Sequence, residues 1–394
     1  MDRQSPSRRE ILTFAVSAAI ASVLPEIASG KSLNEQRNEL FDGGKILTLA
    51  IEIDNDGMKS LREDTKKYVK AQIKEDGQPR YKNVGVKLKG AAGSMRGVDD
   101  KPGWTLNMDK FEDGQRFWGM DKLHLNNCVQ DPSYISEGLC GEMYRAAGVP
   151  ASRLTNAIVS LNGRKLGFYA IKEGYDKGFL KNHFGSTDGN FYDGGFLRDL
   201  DQPLENNNEG KDPAKDHADL KSLMEVSQEA DLQRRFDRMS RRLDIDKFVS
   251  YLSLQMLTWD WDGYPMNRNN YRIYHDPKTN LLTFLPSGMD QMFGDPNGPL
   301  FPNAQGVIAQ RFLETPEGKK RYFARTEQLL ADVFVPDRWS KRLDELLARV
   351  QPALKQVSEG AAKDLPGQFD RIRDGIKQRA KKIKEDLAKS KAKK

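Results

Sequence analysis

The sequence predicts an α+β fold with two lobes, an antiparallel sheet in the N-terminal half and helices in the C-terminal part. Short segments with alternating or β-branched apolar residues, which are typical of strands, recur before residue 175. Beyond Gln310 the pattern is typical of helices, with breaks predicted near Pro336 and Pro366. A chain of 394 residues is long for one core, which favours two lobes or two domains.

Individual elements of the first half follow from local patterns. Residues 45–54 predict a first strand, and apolar residues alternate over 83–89. The dipeptide Asn162-Gly163 lies between two apolar runs, which is a strong hairpin signal. Residues 131–147 predict a helix because an acid, a proline and a hydroxyl precede a periodic run. The mixed polar stretch 58–73 also predicts a helix.

A second hairpin organises residues 259–294. Aromatic and β-branched residues at 271–274 and 281–285 flank a turn that contains Pro277 and Asn280. This composition predicts two paired strands with polar groups at their open end.

Those polar groups predict a cation site. The acids Asp260 and Asp262 and the amides Asn269 and Asn270 precede the hairpin, and Asp290 follows it. Mg²⁺ takes one or two carboxylates together with phosphate oxygens, so an amide and two acids suit it. The alternative is a solvated turn rich in Asp and Asn beside a buried hairpin, because short runs of these residues mostly form turns.

The N-terminus indicates export. The pair Arg8-Arg9 precedes an apolar run at 11–24, and small residues follow at 28–30. This order is typical of a cleavable signal, and the arginine pair favours the Tat route. The run is short for a membrane span. The prediction is therefore a periplasmic or extracellular protein without an integral membrane span in the mature chain; the alternative is an N-terminal helix of a cytosolic protein.

Charge and cysteine usage exclude several classes. The positive excess is concentrated in residues 371–394, whose net charge of +8 exceeds the +6 of the whole chain, and this distribution does not indicate a nucleic-acid groove. The four histidines are scattered without a His/Cys pair at metal spacing, which excludes zinc-site and serine-triad chemistry. Cys128 and Cys140 either pair after export or remain buried thiols.

Ordered motifs between residues 84 and 294 resemble the CotH kinase family (spore-coat protein H-like), atypical kinases of secreted or surface-exposed proteins. The matching motifs are LHLNN, DPSYISEGL, AAGVPASR, LNGRKLGFYAIKE, WDGY, NRNNYRIYHDP and FLPSGMDQMFG. The resemblance implies an atypical protein-kinase-like, two-lobed fold. The expected organisation is a Tat-type signal peptide at 1–30, a linker at 31–44, a kinase-like domain at 45–330 with lobes at about 45–175 and from about 176, and a C-terminal helical extension with a basic tail at 331–394.

The resemblance also implies phosphate transfer from ATP, with Mg²⁺ or Mn²⁺, to a hydroxyl of a secreted or cell-envelope protein. Asp262 would be the catalytic base, with Asp260 as the reserve candidate. Asn270 and Asp290 would hold the metal, and Asn269 is the alternative to Asn270.

Nucleotide contacts are implied by the same resemblance. The small-residue loop at 89–97 lies between strands, where backbone N–H groups approach phosphates. In kinases a lysine pairs with a helix glutamate, so Lys101 would pair with Glu137 or Glu142. Glu173 ends a predicted strand where the lobes join. The predicted nucleotide-binding residues are Lys101, Gly90, Gly93, Ser94, Glu142 and Glu173.

One departure from the family pattern leaves alternatives open. Many members have a Trp-Asp-x-Asp run where this chain has Ser287-Gly288-Met289-Asp290, so one carboxylate is missing. The loss would weaken metal binding or mark a degenerate kinase-like fold that serves as a cell-envelope binding or structural protein. A third hypothesis is glycan hydrolysis by paired carboxylates, although repeated aromatic platforms are lacking around them.

Overall fold

The computed structural model describes residues 30–206 and 217–392, so the predicted signal peptide lies almost entirely outside the described residues. The predicted α+β class with a strand-rich first half and a helical second half is confirmed. Among the helices of the described ranges, none is both long and apolar enough to cross a membrane.

Seven strands of the first half close into a barrel rather than an open antiparallel sheet. The barrel order is β1-β2-β3-β4-β5-β7-β6, and β1 pairs with β6 in parallel while the other neighbours are antiparallel. Closure removes exposed strand edges. The strands are β1 (Leu47–Glu52), β2 (Val69–Glu75), β3 (Gln78–Lys89), β4 (Gly103–Asn107), β5 (Lys122–Asn126), β6 (Leu154–Leu161) and β7 (Arg164–Glu173).

Strand β2 corrects the helix predicted at 58–73. The helix α2 (Asn55–Glu63) covers only the first part, and the chain then becomes a strand. Val69, Ala71 and Ile73 alternate toward the barrel core, each at most 8% exposed. A period of two is the strand signal, and the polar residues Lys70 and Gln72 between these positions concealed it.

The segment predicted as a linker forms a docked helix instead, α1 (Leu33–Asp42). Ser32 and Glu35 form a reciprocal capping box at its start, which satisfies two backbone donors. Leu40 and Phe41 are buried with the barrel residues. The helix is therefore part of the smaller lobe.

Helix α3 (Ser136–Ala146) packs between the barrel and the larger lobe. It confirms that a helix lies within the predicted range 131–147, but it begins five residues later than predicted. The Asp131 side chain accepts from the backbone N–H of Ser136 at 2.9 Å and so fixes its start. Cys128 and Cys140 are free thiols, and burial raises the pKa of each.

The larger lobe combines helices with a sheet of order β11-β10-β8-β9, which contains the predicted hairpin as β10 and β11 in register. Its core helix, α7, runs through buried apolar residues to Thr258. The elements are α4 (Lys177–Phe184), β8 (Asn190–Asp193), β9 (Glu205–Asn206), α5 (Ala218–Ser227), α6 (Leu232–Met239), α7 (Ile245–Thr258), α8 (Tyr264–Asn267), β10 (Tyr271–Asp276), β11 (Leu281–Pro286), α9 (Val307–Glu314), α10 (Pro316–Asp332), α11 (Pro336–Lys355) and α12 (Glu359–Ala392).

The C-terminal helices are built into the domain. Helix α12 contacts α7, α10 and α11, and α11 also contacts the barrel strand β6. Pro336 begins α11 as predicted, whereas the break predicted near Pro366 is wrong because Pro366 lies inside α12. Buried residues such as Ile376 and Ile383 hold α12 along its length.

Candidate functional site

Asp262 lies between α7 and β10, and three asparagine side chains hold its carboxylate. Asn267 donates to Oδ1 at 2.5 Å, and Asn269 and Asn270 donate to Oδ2 at 3.1 and 2.8 Å. A carboxylate offers about four acceptor positions, so three amide donors orient it and leave roughly one position open. Asp262 is partly exposed, so this arrangement suits a base that accepts a proton from one direction.

Asp260 occupies a different environment from Asp262. It is 0% exposed, Oδ2 accepts from Gln255 at 3.1 Å, and Oδ1 has no hydrogen-bond partner among the described residues. Burial, followed by the charges of Asp262 and Asp290, raises the pKa of Asp260 well above its usual range. A carboxyl that is sealed from solvent is poorly placed to act as the reserve base.

The hairpin brings Asn270 against the loop that carries Asp290. The backbone N–H of Ser287 donates to Asn270 O at 3.0 Å. Gly288 has a φ of +62°, and a Cβ at this position would lie 2.4 Å from Asn270 Oδ1. The amide of Asn270 therefore fills the space that a side chain at 288 would take, two positions before Asp290.

Asp290 is the carboxylate that this loop offers to a cation. Burial, and then the charges of Glu137 and Asp131, raise the pKa of Asp290 to about 7. A cation beside it would favour the ionised form. Within the described ranges, no group of three or more His, Cys, Asp and Glu side chains could hold a metal. A divalent ion would therefore depend on Asp290, an amide oxygen such as that of Asn270, and oxygens of its own ligand, a set that suits Mg²⁺.

A buried ion pair links the barrel, α3 and this loop. Lys172 on β7 donates to Glu137 Oε1 at 2.5 Å and to Ser287 Oγ at 3.2 Å, and the backbone N–H of Gly288 donates to the same Glu137 oxygen at 2.9 Å. Although burial opposes it, the charges of Lys172 and then Lys89 hold the pKa of Glu137 below its usual value. The pair fixes the start of the loop that leads to Asp290.

Lys89, the last residue of β3, adds a second cation to the cluster. Its Nζ donates to Asn126 Oδ1 at 2.7 Å, and Asn126 donates to Glu137 Oε2 at 2.8 Å. Burial, and then repulsion by Lys172, lower the pKa of Lys89 to about 8. Glu137 thus organises two lysines, and the resulting excess of positive charge suits a polyanionic ligand such as a triphosphate.

The small-residue loop is folded onto itself. Gly90 has a φ of +142°, and a Cβ there would lie 2.9 Å from the Cα of Met95. Gly93 lies against the side chain of Gln130. The hydroxyl of Ser94 donates to Ala91 O at 2.9 Å, so this predicted phosphate contact is already engaged. Contacts from Gly90 and Gly93 to a nucleotide stay predictions.

The expected pairing of Lys101 with a helix glutamate is not found. The Lys101 ammonium lies 5.6 and 5.2 Å from the ring centroids of Tyr134 and Tyr169, and burial lowers its pKa. Glu142, one of its two predicted partners, accepts from Arg342 of α11 at 2.8 Å instead. Lys101 follows the loop in sequence and precedes β4, and its ammonium lies over the two aromatic rings rather than against Glu137.

Glu173 also has a structural role in place of the predicted nucleotide contact. Its carboxylate accepts from Arg153 at 3.0 and 2.8 Å and from Arg37 at 3.3 Å. These bonds commit both oxygens. Glu173 is 1% exposed and joins α1 to the end of β7.

Sequence reasoning missed Lys172, which forms the buried pair. A signal was present, because Ala170-Ile171-Lys172 resembles the Val-Ala-Ile-Lys strand motif of ordinary kinases. The order along the chain obscured it. In ordinary kinases the lysine strand precedes the glutamate helix, whereas here Glu137 of α3 precedes Lys172 of β7.

Comparisons with known proteins agree with the resemblance found in the sequence. The inner spore coat protein H of Bacillus subtilis (strain 168) is 24% identical over 300 residues, which cover 71% of this chain and 82% of that protein. Invasin CotH3 of Rhizopus delemar is 22% identical over 238 residues, which cover 54% of this chain and 38% of the invasin. The chain therefore spans well under half the length of that invasin.

Two solved structures show weaker similarity. A Helicobacter pylori proinflammatory kinase, CtkA, has 8% identity and a TM-score of 0.32, covering 75% of this chain and 97% of its own. The complex of HipA, HipB and operator DNA from Shewanella oneidensis MR-1 matches with 12% identity and a TM-score of 0.35, covering 87% of this chain and 74% of its own. Neither score supports an inference about this chain. The family model described as CotH kinase protein matches residues 86–383, most of the chain, and the protein therefore belongs to the CotH kinase family.

Proposed function

We propose that this protein is an exported atypical kinase that transfers phosphate from ATP, with Mg²⁺ or Mn²⁺, to a hydroxyl of a secreted or cell-envelope protein. The observation that carries the proposal is the buried pair of Lys172 and Glu137, which holds the start of the loop leading to Asp290. Asn270 packs against the same loop and donates to Asp262. Phosphoryl transfer depends mostly on such positioning and charge neutralisation. The arginine pair and apolar run of residues 8–24 support the export part of the proposal.

Each site residue has a separate role in the proposed phosphate transfer. Asp262 accepts the proton of the acceptor hydroxyl as the new bond between that oxygen and the γ-phosphorus forms and the bond to the β-phosphate oxygen breaks. Lys172 and Lys89 supply positive charge for the phosphates. Asp290 and Asn270 would hold the divalent ion, which when bound neutralises phosphate charge.

Substituting the two acids separately tests this division. The purified chain should label itself or an added protein from γ-labelled ATP with Mg²⁺ or Mn²⁺. Asp262→Ala should retain metal-dependent nucleotide binding, because Asp290 is unchanged and Asn270 loses only one hydrogen-bond acceptor, but it should lower transfer by about 10²–10⁴-fold. Asp290→Ala should lose the nucleotide binding itself. Labelling and binding are measured by autoradiography and calorimetry.

Asp295→Ala is the matched control, since Asp295 is an exposed acid in the same loop and, among the described residues, its carboxylate accepts from the backbone N–H of Asn297. It should behave like the unmodified chain. Retained transfer in both Asp262→Ala and Asp290→Ala would contradict the assignment.

A catalytically degenerate binding or structural protein is the second candidate, and the single carboxylate at Asp290 favours it. No labelling and no thermal shift with ATP and Mn²⁺ would support this function. Labelling by the unmodified chain that Asp262→Ala abolishes would exclude it.

The raised pKa of Asp290 predicts how stability depends on pH. An unfolded aspartate titrates near about pH 3.9, whereas the folded-state pKa of Asp290 is about 7. Between these values the native state binds a proton that the unfolded state has released, so the free energy of unfolding of metal-free protein should fall as pH rises from about 4 to 7. This fall should exceed about 1 kcal/mol, and Asp290→Asn should remove it.

Urea unfolding in a chelator at pH 5 and pH 8 measures the effect. Parallel pH profiles for the unmodified chain and Asp290→Asn would show that the carboxyl is not held in the environment that the structure shows.

A further inference from the structure

A buried arginine of α12 joins the two segments that carry the acids. Arg379 is 0% exposed, and its Nε donates to Met256 O, in the last turn of α7, at 2.8 Å. Its Nη2 donates to Pro299 O at 2.8 Å, and Nη1 donates to Gly298 O and, at 3.4 Å, to Pro296 O. One guanidinium therefore bridges the end of α7 and the loop that follows Asp290.

The same guanidinium stacks on Trp259, the residue directly before the acid cluster. The guanidinium carbon lies 5.1 Å from the Trp259 ring centroid. Gly298 packs against the Trp259 ring, and a Cβ at position 298 would lie 2.3 Å from a carbon of that ring. The loop after Asp290 therefore packs against Trp259, and Arg379 contacts both the Trp259 ring and the loop.

Arg379 bonds carbonyl groups rather than a counter-ion. Among the described residues, its hydrogen-bond partners are all backbone carbonyls. Burial lowers its pKa to about 10 although the charges of Asp295 and Asp386 oppose this, so it stays charged at neutral pH. A cation at the C-terminus of α7 is favourable because the last carbonyls of a helix are otherwise unsatisfied. Its planar donor fork suits several fixed carbonyls at once, which a lysine cannot match.

A second α12 residue, one helical turn earlier, contacts the same loop. A Cβ at Gly375 would lie 2.8 Å from the Cβ of Phe293. Phe293 has a φ of +62°, and its backbone N–H donates to Thr258 O at 2.9 Å. Gly375 therefore allows the chain after Asp290 to lie between α7 and α12.

We propose that Arg379 is a positioning residue for phosphate transfer: it fixes the segment of Asp260 and Asp262 relative to the loop of Asp290. The role in phosphate transfer rests on the proposed function, but the role of Arg379 in holding the two segments together does not. Under this proposal, α12 positions the acids through Arg379, whereas its contacts with α11 serve only to pack the helix. Misplacement of reacting groups by about 1 Å costs about 10²-fold in rate. A small shift between these two segments is therefore expected to slow transfer.

Arg379→Lys tests the proposal because it keeps the charge and loses the fork. We expect kcat to fall by about 10²-fold with a small change in the KM for ATP, in a protein that remains folded by circular dichroism. Hydrogen exchange, which does not require activity, should increase at residues 256–263 and 293–299.

Arg373→Lys is the matched control on the same helix. Arg373 donates to Ser340 O at 3.0 Å and to Asp344 at 2.8 Å, which ties α12 to α11 away from the acids. Its substitution should increase exchange near residues 336–345 and leave kcat unchanged.

Gly375→Ala provides a second variant if Arg379→Lys does not fold. Alanine stabilises a helix by about 1 kcal/mol relative to glycine, so α12 itself is not weakened and a loss of transfer would report on Phe293. Unchanged exchange at 256–263 and 293–299 in Arg379→Lys, or unchanged kcat in folded protein, would overturn the proposal. If the unmodified chain transfers no phosphate, the proposed function fails while the exchange data still decide the structural role of Arg379.

Discussion

Replacing Lys172 by methionine is expected to lower phosphate transfer by about 10²–10³-fold and to destabilise the protein by about 3 kcal/mol. Lys172 and Glu137 are 4% and 5% exposed, so removal of the ammonium leaves a buried carboxylate without its direct partner. Lys89, bound through Asn126, keeps part of the neutralising charge and limits the loss of stability. The loss of transfer has a separate cause, because Lys172 would neutralise phosphate and also contacts Ser287 at 3.2 Å.

A double substitution separates the two effects. Adding Glu137→Gln to Lys172→Met removes the unpaired charge, so urea unfolding should show that part of the stability returns. Transfer should not return, because the phosphate-binding charge is still missing.

Lys101→Met is the matched control for this lysine. Lys101 is also partly buried, but it lies over aromatic rings and not beside a carboxylate. We expect transfer close to that of the unmodified chain. A larger loss of transfer for Lys101→Met than for Lys172→Met would indicate that Lys101 binds the nucleotide, as the sequence predicted.

Both hairpins could be predicted because the residues that specify them are close together in the chain. Asn162 and Gly163 have φ values of +49° and +82°, as a tight turn between paired strands requires. The turn between β10 and β11 is likewise local, and it determines that the polar residues before and after the hairpin meet. The meeting of Asn270 with the loop of Asp290 follows from strand pairing alone.

The residue of β7 that pairs with Glu137 was missed despite the Ala170-Ile171-Lys172 pattern, because the pairing depends on which face of the barrel each side chain takes. Neighbouring residues of a strand point to opposite faces. Lys172 therefore faces Glu137, while Glu173 faces Arg37 and Arg153. The sequence favoured Glu173, one position away, and a shift of one residue exchanges the two faces.

Contacts between distant segments account for the other differences. The parallel pairing of β1 with β6 joins residues such as Leu49 and Val159, which no local pattern connects. Residues 31–44 were predicted as a linker, although they contain the docked helix α1. Its docking depends on the buried Arg37, whose partners come much later in the chain.

Replacing Arg37 by alanine is expected to destabilise the native state by about 3–5 kcal/mol. The guanidinium donates to Gly119 O at 3.1 and 2.9 Å, to Glu173 at 3.3 Å and to Asp176 at 2.7 Å. Glu173 ends β7 and Asp176 caps α4, so Arg37 ties α1 to the connection between the lobes. Without Arg37, the buried Asp176 would lack its counter-charge beside Asp121, whose pKa burial and Asp176 already raise.

Arg62→Ala is the matched control, since Arg62 donates to both oxygens of Asp99 at 2.8 and 2.9 Å on an exposed surface. An exposed pair of this kind contributes about 0–1 kcal/mol, so urea unfolding at neutral pH should show a much smaller change. Adding Asp176→Asn to Arg37→Ala should recover part of the stability, because asparagine still caps α4 without the unpaired charge. Equal effects for Arg37→Ala and Arg62→Ala would contradict the docking of α1, since only a buried carboxylate makes the loss of its partner costly.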